Sequence, residues 1–175
     1  MKRSELEHII RAASVIADDP EIIVIGSQAI LGQFPDAPAP LLISMEADVI
    51  PRNRPERSEL IEGSIGEGSP FHETFGYYGN GVDFNTAVLP KGWKNRLVRI
   101  QNNNTRGAVG WCLEVHDLVM SKYAAAREKD LQFNGEVIRA GYVDRNRLMK
   151  RLKEMPLPSS GKNRISGLVE RAFAR

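Results

Sequence analysis

The first segment of the chain carries apolar side chains at helical spacing. Leu6, Ile9, Ala13 and Ile16 recur every three to four residues, with polar positions between them. Such a period places the apolar side chains on one face of a helix. The pattern therefore predicts an amphipathic helix over residues 3–18.

Two short runs rich in apolar and β-branched residues follow. Residues 21–25 read Glu-Ile-Ile-Val-Ile, which is typical of a buried strand, and Gly26-Ser27 comes directly after them. The next residues favour a helix. Residues 41–50 predict a second strand, with acidic side chains at alternate positions near its far end. The predicted order is strand, glycine-serine turn, helix, loop and strand.

The rest of the chain predicts short strands followed by helices. Residues 66–81 contain five glycines and favour loops with short strands. We predict short strands at residues 77–78, 82–84, 86–90, 96–100 and 107–113. We predict helices at residues 58–65, 115–133, 136–140 and 144–155, with a break at Asn134-Gly135. A loop at residues 156–162 precedes a short last helix. This order predicts an α+β fold with a mixed sheet flanked by helices. We expect one domain over residues 1–135 and a helical extension over 136–175 packed on it.

Composition narrows the class of protein. Of the 175 residues, 42% are hydrophobic and 26% are charged, which is typical of a globular chain. No stretch is apolar for long enough to predict a transmembrane helix, and the first residues lack the features of a signal peptide. Cys112 is the only cysteine, so an intramolecular disulfide and a cysteine-based metal site are excluded. We expect a cytoplasmic protein with no membrane partner.

Charge is unevenly distributed along the chain. Residues 1–90 contain 6 basic and 14 acidic side chains, whereas residues 139–175 contain 10 basic and 3 acidic ones. An acidic half favours cations, and a basic end favours phosphates. The alternative is that the basic end is simply the solvated surface of helices.

Glu46 and Asp48 are the first candidate functional residues. Side chains two positions apart leave a strand on the same face, so these carboxylates are expected to lie side by side. A divalent cation such as Mg²⁺ relieves their repulsion, and it prefers oxygen ligands together with substrate phosphates. The alternative is a pair of acids at a solvent-exposed strand end.

Gly26 and Ser27 are the second candidate. Glycine allows a sharp turn and a close approach to a ligand, and backbone amides with a serine hydroxyl can bind phosphate. The alternative is an ordinary capping serine between a strand and a helix. The segment is not a Walker A loop, because G-x-x-x-x-G-K-[ST] is absent.

Taken together, these two segments resemble the nucleotidyltransferase (polymerase β-like) superfamily. Its pattern is Gly-Ser followed by two acids, one residue apart, on the next strand. The resemblance implies a nucleotidyltransferase fold in which the turn holds an NTP and the acids hold Mg²⁺, with Mn²⁺ as a substitute. The implied reaction is attack of an acceptor hydroxyl on the α-phosphorus.

A second resemblance is narrower. Residues 117–130, Asp-Leu-Val-Met-Ser-Lys-Tyr-Ala-Ala-Ala-Arg-Glu-Lys-Asp, resemble the charged helix of the DUF6036 and AbiEii-like families, which are related to bacterial abortive-infection toxins. The resemblance implies that Lys122, Arg127 and Lys129 contact the nucleotide and that Asp130 orients a basic group. It also implies a tRNA or protein acceptor and a cognate antitoxin partner. The alternative is a solvent-facing charged helix.

The chain departs from the superfamily pattern at two positions. Glu46 stands where many relatives have aspartate, and the third carboxylate has no certain match. Asp83 is the best candidate for that third metal ligand and catalytic base. The alternative for Asp83 is a structural role as an aspartate in the turn after Gly81. If Asp83 does not join the other acids, a non-catalytic nucleotide- or RNA-binding module becomes the competing function. A small-molecule nucleotidyltransferase of the antibiotic-modifying type is a third possibility.

Four further residues have both a functional and a structural interpretation. Arg52, Arg54 and Arg57 follow the acidic strand and are candidates for binding phosphate, although a solvated loop explains them equally well. His72 lies in the glycine-rich segment, which could cover the site; loop histidines are more often structural or solvated than in contact with a substrate.

Overall fold

The computed structural model describes residues 1–174 as an α+β fold with one mixed sheet. Five strands form the sheet: β1 (Glu21–Ile25), β2 (Glu46–Pro51), β3 (Tyr78–Gly81), β4 (Val98–Ile100) and β5 (Val109–Cys112). Seven α-helices surround it: α1 (Arg3–Ala17), α2 (Ser58–Ile65), α3 (Pro70–Phe75), α4 (Val115–Ala125), α5 (Glu128–Arg139), α6 (Arg145–Lys153) and α7 (Ser159–Phe173). The fold class predicted from the sequence is confirmed.

The sheet order is β3-β2-β1-β5-β4. β1 pairs with β2 antiparallel and with β5 parallel, so the most apolar strand occupies the centre. β3 pairs with β2 in parallel, and β4 pairs with β5 antiparallel. A central strand is covered on both faces, which explains why residues 22–25 are all buried.

One hydrophobic core includes side chains from the sheet and from both ends of the chain. Leu6 and Ile10 of α1 and Leu118 of α4 are fully buried in it, as are Leu148 of α6 and Ile165 of α7. The C-terminal helices therefore pack on the same core as the sheet. Within residues 1–174, none of the helices combines the length and apolarity needed to cross a bilayer.

Several predicted boundaries are wrong. The strand predicted at 41–50 begins only at Glu46, because the preceding proline-rich segment forms a short 3-10 helix at Ala39–Leu41. Residues 70–75 form α3 rather than a loop, with Ser69 accepting the N-cap hydrogen bond from His72. The strand pieces predicted at 82–84 and 86–90 are absent among the described residues.

The helix predicted at 115–133 is two helices. Ala126 has a left-handed conformation (φ 58°), and its N–H donates to the Lys122 carbonyl, which ends α4. The break predicted at Asn134-Gly135 is wrong, because α5 continues through it. Asn134 is buried there and its side-chain amide donates to the Val119 carbonyl 3.2 Å away, so tertiary packing overrides its weak helix propensity. The final helix has 15 residues rather than a few.

A buried ion cluster fixes α4 relative to α6. Asp117 is fully buried, and its oxygens accept from Arg96 Nε at 2.8 Å and Arg96 Nη2 at 3.0 Å. Arg151 Nε of α6 lies 3.0 Å from the same carboxylate as an ion pair. Asp117 thus compensates two arginines from two different segments.

We expect Asp117→Ala to lower the free energy of unfolding by about 3 kcal/mol, because it leaves two largely buried guanidinium groups without their partner. Urea unfolding followed by circular dichroism measures this change. Asp83→Ala is the control, since Asp83 is exposed and accepts only one hydrogen bond, from the Asn85 N–H. A loss no larger for Asp117→Ala than for the control would contradict the prediction.

Candidate active site

Gly26 brings the backbone after β1 against the acidic strand. Its conformation is left-handed in φ (φ 73°, ψ −173°), and Ile25 pairs with Asp48 across the antiparallel ladder. A Cβ atom placed on Gly26 would lie 2.3 Å from Asp48 Oδ2, closer than any real contact. Glycine is therefore required both by the conformation and by the space. Ser27 begins a 3-10 helix, Ser27–Gly32, where the sequence predicted an α-helix.

Glu46 and Asp48 lie side by side on β2, as predicted. Both are partly buried, and their side chains are close enough to share a hydrogen bond. Burial, the hydrogen bond with Glu46 and the negative charge of Glu46 together raise the pKa of Asp48 to about 7, while Asn80 and Lys122 oppose the rise. Two carboxylates in this state favour a proton or a cation between them.

Asn80 of β3 is the neighbour of these acids that sequence reasoning missed. It pairs directly with Asp48 in the parallel ladder, and its Nδ2 donates to Glu46 Oε1 at 2.5 Å. Its position depends on the register between β2 and β3, which no local pattern specifies. The only sequence signal is a polar residue inside the short strand Tyr78–Gly81.

Asp83 does not join the acidic pair. It lies two residues beyond the end of β3, is exposed, and accepts a 2.6 Å hydrogen bond from the Asn85 N–H. No group of three or more His, Cys, Asp or Glu side chains placed to share a metal ion occurs within residues 1–174. The expectation that Asp83 is a third ligand beside Glu46 and Asp48 is therefore wrong, because the chain leaves the sheet before reaching it.

Lys122, Arg127 and Asp130 form a compact ion cluster beside the carboxylates. Lys122 Nζ donates to Asp130 Oδ1 at 2.9 Å, and Arg127 Nε donates to Asp130 Oδ2 at 2.6 Å. Burial alone would raise the pKa of Asp130, but hydrogen bonds from Arg127 and Lys122 hold it below its ordinary value. Burial lowers the pKa of Lys122 despite this partner. The predicted role of Asp130 in orienting a basic group is consistent with these contacts.

Lys129 lines the same cavity as Lys122 and Arg127, although the helix predicted over residues 115–133 is interrupted between them. A continuous helix would have placed it two turns beyond Lys122 on the same face, but the helix breaks at Ala126. Lys129 instead projects from the first turn of α5, is exposed, and lines the same cavity as Lys122 and Arg127.

A single cavity of about 610 Å³ joins these groups. Its lining includes Gly26, Ser27, Glu46 and Asp48 from β1 and β2, and the basic Lys122, Arg127 and Lys129 together with the acidic Asp130 and Glu136 from α4, α5 and the turn between them. The lining also includes the apolar Pro40, Leu41, Ile43 and Phe133. Ile43 is 79% exposed although it is aliphatic, so an apolar surface is presented to whatever enters.

The arginines after β2 lie at the other end of the sheet. Arg52 pairs with Glu21 at the start of β1, and its guanidinium lies over the Trp111 ring. Arg54 and Arg57 both pair with Asp18. These contacts support a structural role for the three arginines. They follow the end of β2 that is opposite to Glu46.

His72 is also outside the cavity lining. It lies on α3, where its ring packs against Tyr78 with centroids 4.6 Å apart and its Nδ1 accepts from the Gly68 N–H. These contacts support the structural reading of His72.

Comparison with known families agrees with this geometry. A family model described as "Nucleotidyltransferase of unknown function (DUF6036)" matches residues 4–173. The chain belongs to this family. No curated protein and no solved structure matches the chain. The mixed sheet with flanking helices is thus the DUF6036 nucleotidyltransferase fold, and the match extends through α7.

In this DUF6036 chain, seven of the eight residues predicted for the site line one cavity. They are Gly26, Ser27, Glu46, Asp48, Lys122, Arg127 and Lys129. The eighth, Asp83, does not, and Asn80 occupies the neighbouring position on β3.

We expect Asp48→Asn to stabilise the metal-free protein at pH 8. The folded-state pKa of Asp48 is about 7 against an ordinary value of 3.8, so ionising it costs folding free energy as pH rises through that interval. The contribution of Asp48 to wild-type stability is fully present below pH 4 and is lost as pH rises through 7. The loss is about 1.4 kcal/mol for each pH unit between the two pKa values. The asparagine variant avoids it.

Urea unfolding in EDTA at pH 5 and pH 8 measures the difference. The gain from Asp48→Asn should be larger at pH 8 than at pH 5 by about 2–4 kcal/mol. Asp83→Asn is the matched control, with no comparable pH-dependent gain expected. Equal effects at both pH values would show that Asp48 ionises normally in the folded protein.

Proposed function

We propose that this chain is a Mg²⁺-dependent nucleotidyltransferase that moves a nucleoside monophosphate from an NTP to an acceptor hydroxyl. The observation that carries the proposal is the close approach of Gly26 to Asp48 in a cavity that Lys122 and Arg127 also line. A triphosphate and a metal ion need three kinds of group: a tight glycine turn, two carboxylates and two cationic side chains. This cavity has all three.

The residues present fit a divalent metal. Glu46 and Asp48 leave the same face of β2, and burial together with the charge of Glu46 raises the pKa of Asp48 even though Lys122 opposes the rise, so the pair favours a further cation. Mg²⁺ is commonly held by one or two protein carboxylates together with substrate phosphates, so two ligands suffice. Bound there, Mg²⁺, or Mn²⁺ in its place, would neutralise charge on the phosphates and on the reacting oxygens.

The basic side chains support binding of the phosphate chain. Arg127 is 62% exposed at its side chain, so it can reach a ligand, while Lys122 is held deeper by Asp130. The cavity volume of about 610 Å³ lies within the range of small-molecule sites, and the exposed side chain of Ile43 offers an apolar surface to a nucleobase. These residues would bind and orient the nucleotide.

A basic surface on α6 supports RNA rather than protein as the acceptor, and tRNA is the RNA that the family resemblance implies. Arg147, Lys150 and Lys153 recur every three residues along the exposed side of α6, and among the described residues none has an acidic partner within ion-pair distance. We name these three residues the α6 basic stripe. Neutralising phosphates along such a stripe supplies sequence-independent affinity for nucleic acid.

The biological setting follows from the same proposal. NTPs, Mg²⁺ and tRNA are all available in the cytoplasm, which supports the expected location. The resemblance of residues 117–130 to abortive-infection toxins supports a toxin role controlled by a cognate antitoxin. A toxin of this kind would act by blocking tRNA function.

A second candidate function is nucleotide or RNA binding without transfer. Asn80 beside Asp48 and the exposed position of Asp83 favour it, since a third carboxylate that could act as a base is missing from the pair. The two candidates share the same ligands and differ in turnover, so one assay separates them.

We expect the purified chain to transfer label from an α-³²P NTP to total tRNA in the presence of Mg²⁺. Each of the four NTPs is tested separately, and cell lysate replaces tRNA in a parallel reaction. Asp48→Ala should lower the rate by at least about 100-fold, because it removes half of the metal-binding pair. Asp83→Ala is the control and should retain the wild-type rate.

Four outcomes discriminate the candidates. Label in tRNA supports the proposal. Label in lysate protein would show that the acceptor is a protein rather than tRNA. Label in the small-molecule fraction would identify an antibiotic-type enzyme. NTP binding, measured by equilibrium dialysis, with no label transferred anywhere supports the binding module instead.

We expect neutralising the α6 basic stripe to weaken tRNA labelling without changing NTP binding. The variant Arg147→Gln, Lys150→Gln, Lys153→Gln removes three positive charges from residues that do not line the cavity. The apparent Kd for tRNA should rise about 10-fold or more at 0.15 M salt, with a shallower salt dependence. Arg145→Gln, which breaks a pair with Glu170, is the control. Unchanged tRNA affinity would rule out α6 as the RNA surface.

A further inference from the structure

Asn80 occupies the place on β3 nearest to the acidic pair. In the parallel ladder β2–β3, Asp48 is opposite Asn80, and Glu46 is opposite Tyr78. Directly paired residues on neighbouring strands project to the same face of a sheet. The 2.5 Å hydrogen bond from Asn80 Nδ2 to Glu46 Oε1 confirms that Asn80 faces the same side as both carboxylates.

The chemistry of an amide at this place differs from that of a carboxylate in two ways. Asn80 is neutral, so the group formed with Glu46 and Asp48 carries a charge of at most −2. Asn80 also donates a hydrogen bond, whereas an ionised carboxylate only accepts. Its NH₂ group therefore occupies one lone pair of Glu46 and repels a cation from that side.

Charge balance follows from this arrangement. Two carboxylates neutralise one divalent cation, and a second cation would have to be held by the phosphates of the ligand without a charged protein group of its own. The described residues provide no substitute, because no third carboxylate, histidine or cysteine joins the pair within residues 1–174.

The same hydrogen bond orients Glu46. A glutamate side chain has one more rotatable bond than aspartate, and holding it in one rotamer costs conformational entropy. Asn80 fixes one oxygen of the Glu46 carboxylate. The second Glu46 oxygen remains free to bind a metal ion together with Asp48. Partners that orient a metal ligand in this way affect metal affinity by about 10- to 100-fold.

We propose that Asn80 limits this site to one divalent cation and positions Glu46 to bind it. The inference rests on the proposed function only in taking the carboxylate pair as a metal site; it requires no turnover. Asn80 is thus a positioning residue that also sets the metal stoichiometry.

Manganese binding tests the proposal directly. Mn²⁺ is titrated into the full chain, alone and with inorganic triphosphate, and bound ion is counted by electron paramagnetic resonance and calorimetry. Wild type should bind one Mn²⁺ per chain in both conditions. Asn80→Asp should bind a second Mn²⁺ when triphosphate is present, and Asn80→Ala should bind one ion about 10-fold more weakly.

Asn103→Asp is the matched control. It adds the same charge at an exposed position on the loop between β4 and β5, and it should leave both the number and the affinity of bound ions at wild-type values. Circular dichroism melts establish that each variant is folded. If Asn80→Asp does not fold, the wild-type stoichiometry and Asn80→Ala still decide the matter.

Two bound Mn²⁺ ions in wild type would overturn the proposal, as would a single ion in folded Asn80→Asp or unchanged affinity in Asn80→Ala. Its failure is distinguishable from failure of the proposed function. A wild-type chain that binds one Mn²⁺ but transfers no nucleotide refutes transfer and leaves the role of Asn80 intact. Transfer by Asn80→Asp alone would then identify Asn80 as the reason for the inactivity.

Discussion

The antiparallel pairing of β1 with β2 is the constraint on which the site depends. Its register places Ile25 opposite Asp48, so the turn at Gly26 emerges against the carboxylate rather than beside a neutral residue. A slip of one residue would turn Asp48 to the other face of the sheet. The buried apolar side chains of β1 oppose such a slip, because it would move them out of the core. Core packing thus fixes the geometry of a polar site.

Local sequence patterns predicted the parts of the site that lie within or next to one element. Glu46 and Asp48 alternate on a single strand, and Gly26 follows a strand that is apolar throughout its last four residues. Periodicity and turn chemistry are sufficient for both. The same reasoning gave α1 and α2 to within one residue.

Parts that depend on register or tertiary contacts were not predictable in this way. Choosing between Asp83 and Asn80 requires knowing where β3 starts along β2, and the glycine-rich segment carries no pattern that fixes it. The end of α4 at Ala126 depends on contacts nearer in sequence, because the turn lets Arg127 and Lys122 converge on Asp130, three and eight residues further along. The first error arose where long-range strand pairing decides the position, and the second where side-chain contacts outweigh local helix preference.

Asp130 forms ion pairs with Lys122 and Arg127, the two cationic side chains proposed to contact a triphosphate. It accepts from Lys122 and from Arg127 at once, so an arriving phosphate competes with an internal anion for the same two donors. Asp130 therefore holds Lys122 and Arg127 in place without a ligand. In the reaction we propose, Asp130 would replace the departing pyrophosphate as the partner of both cations, which would favour release of that product.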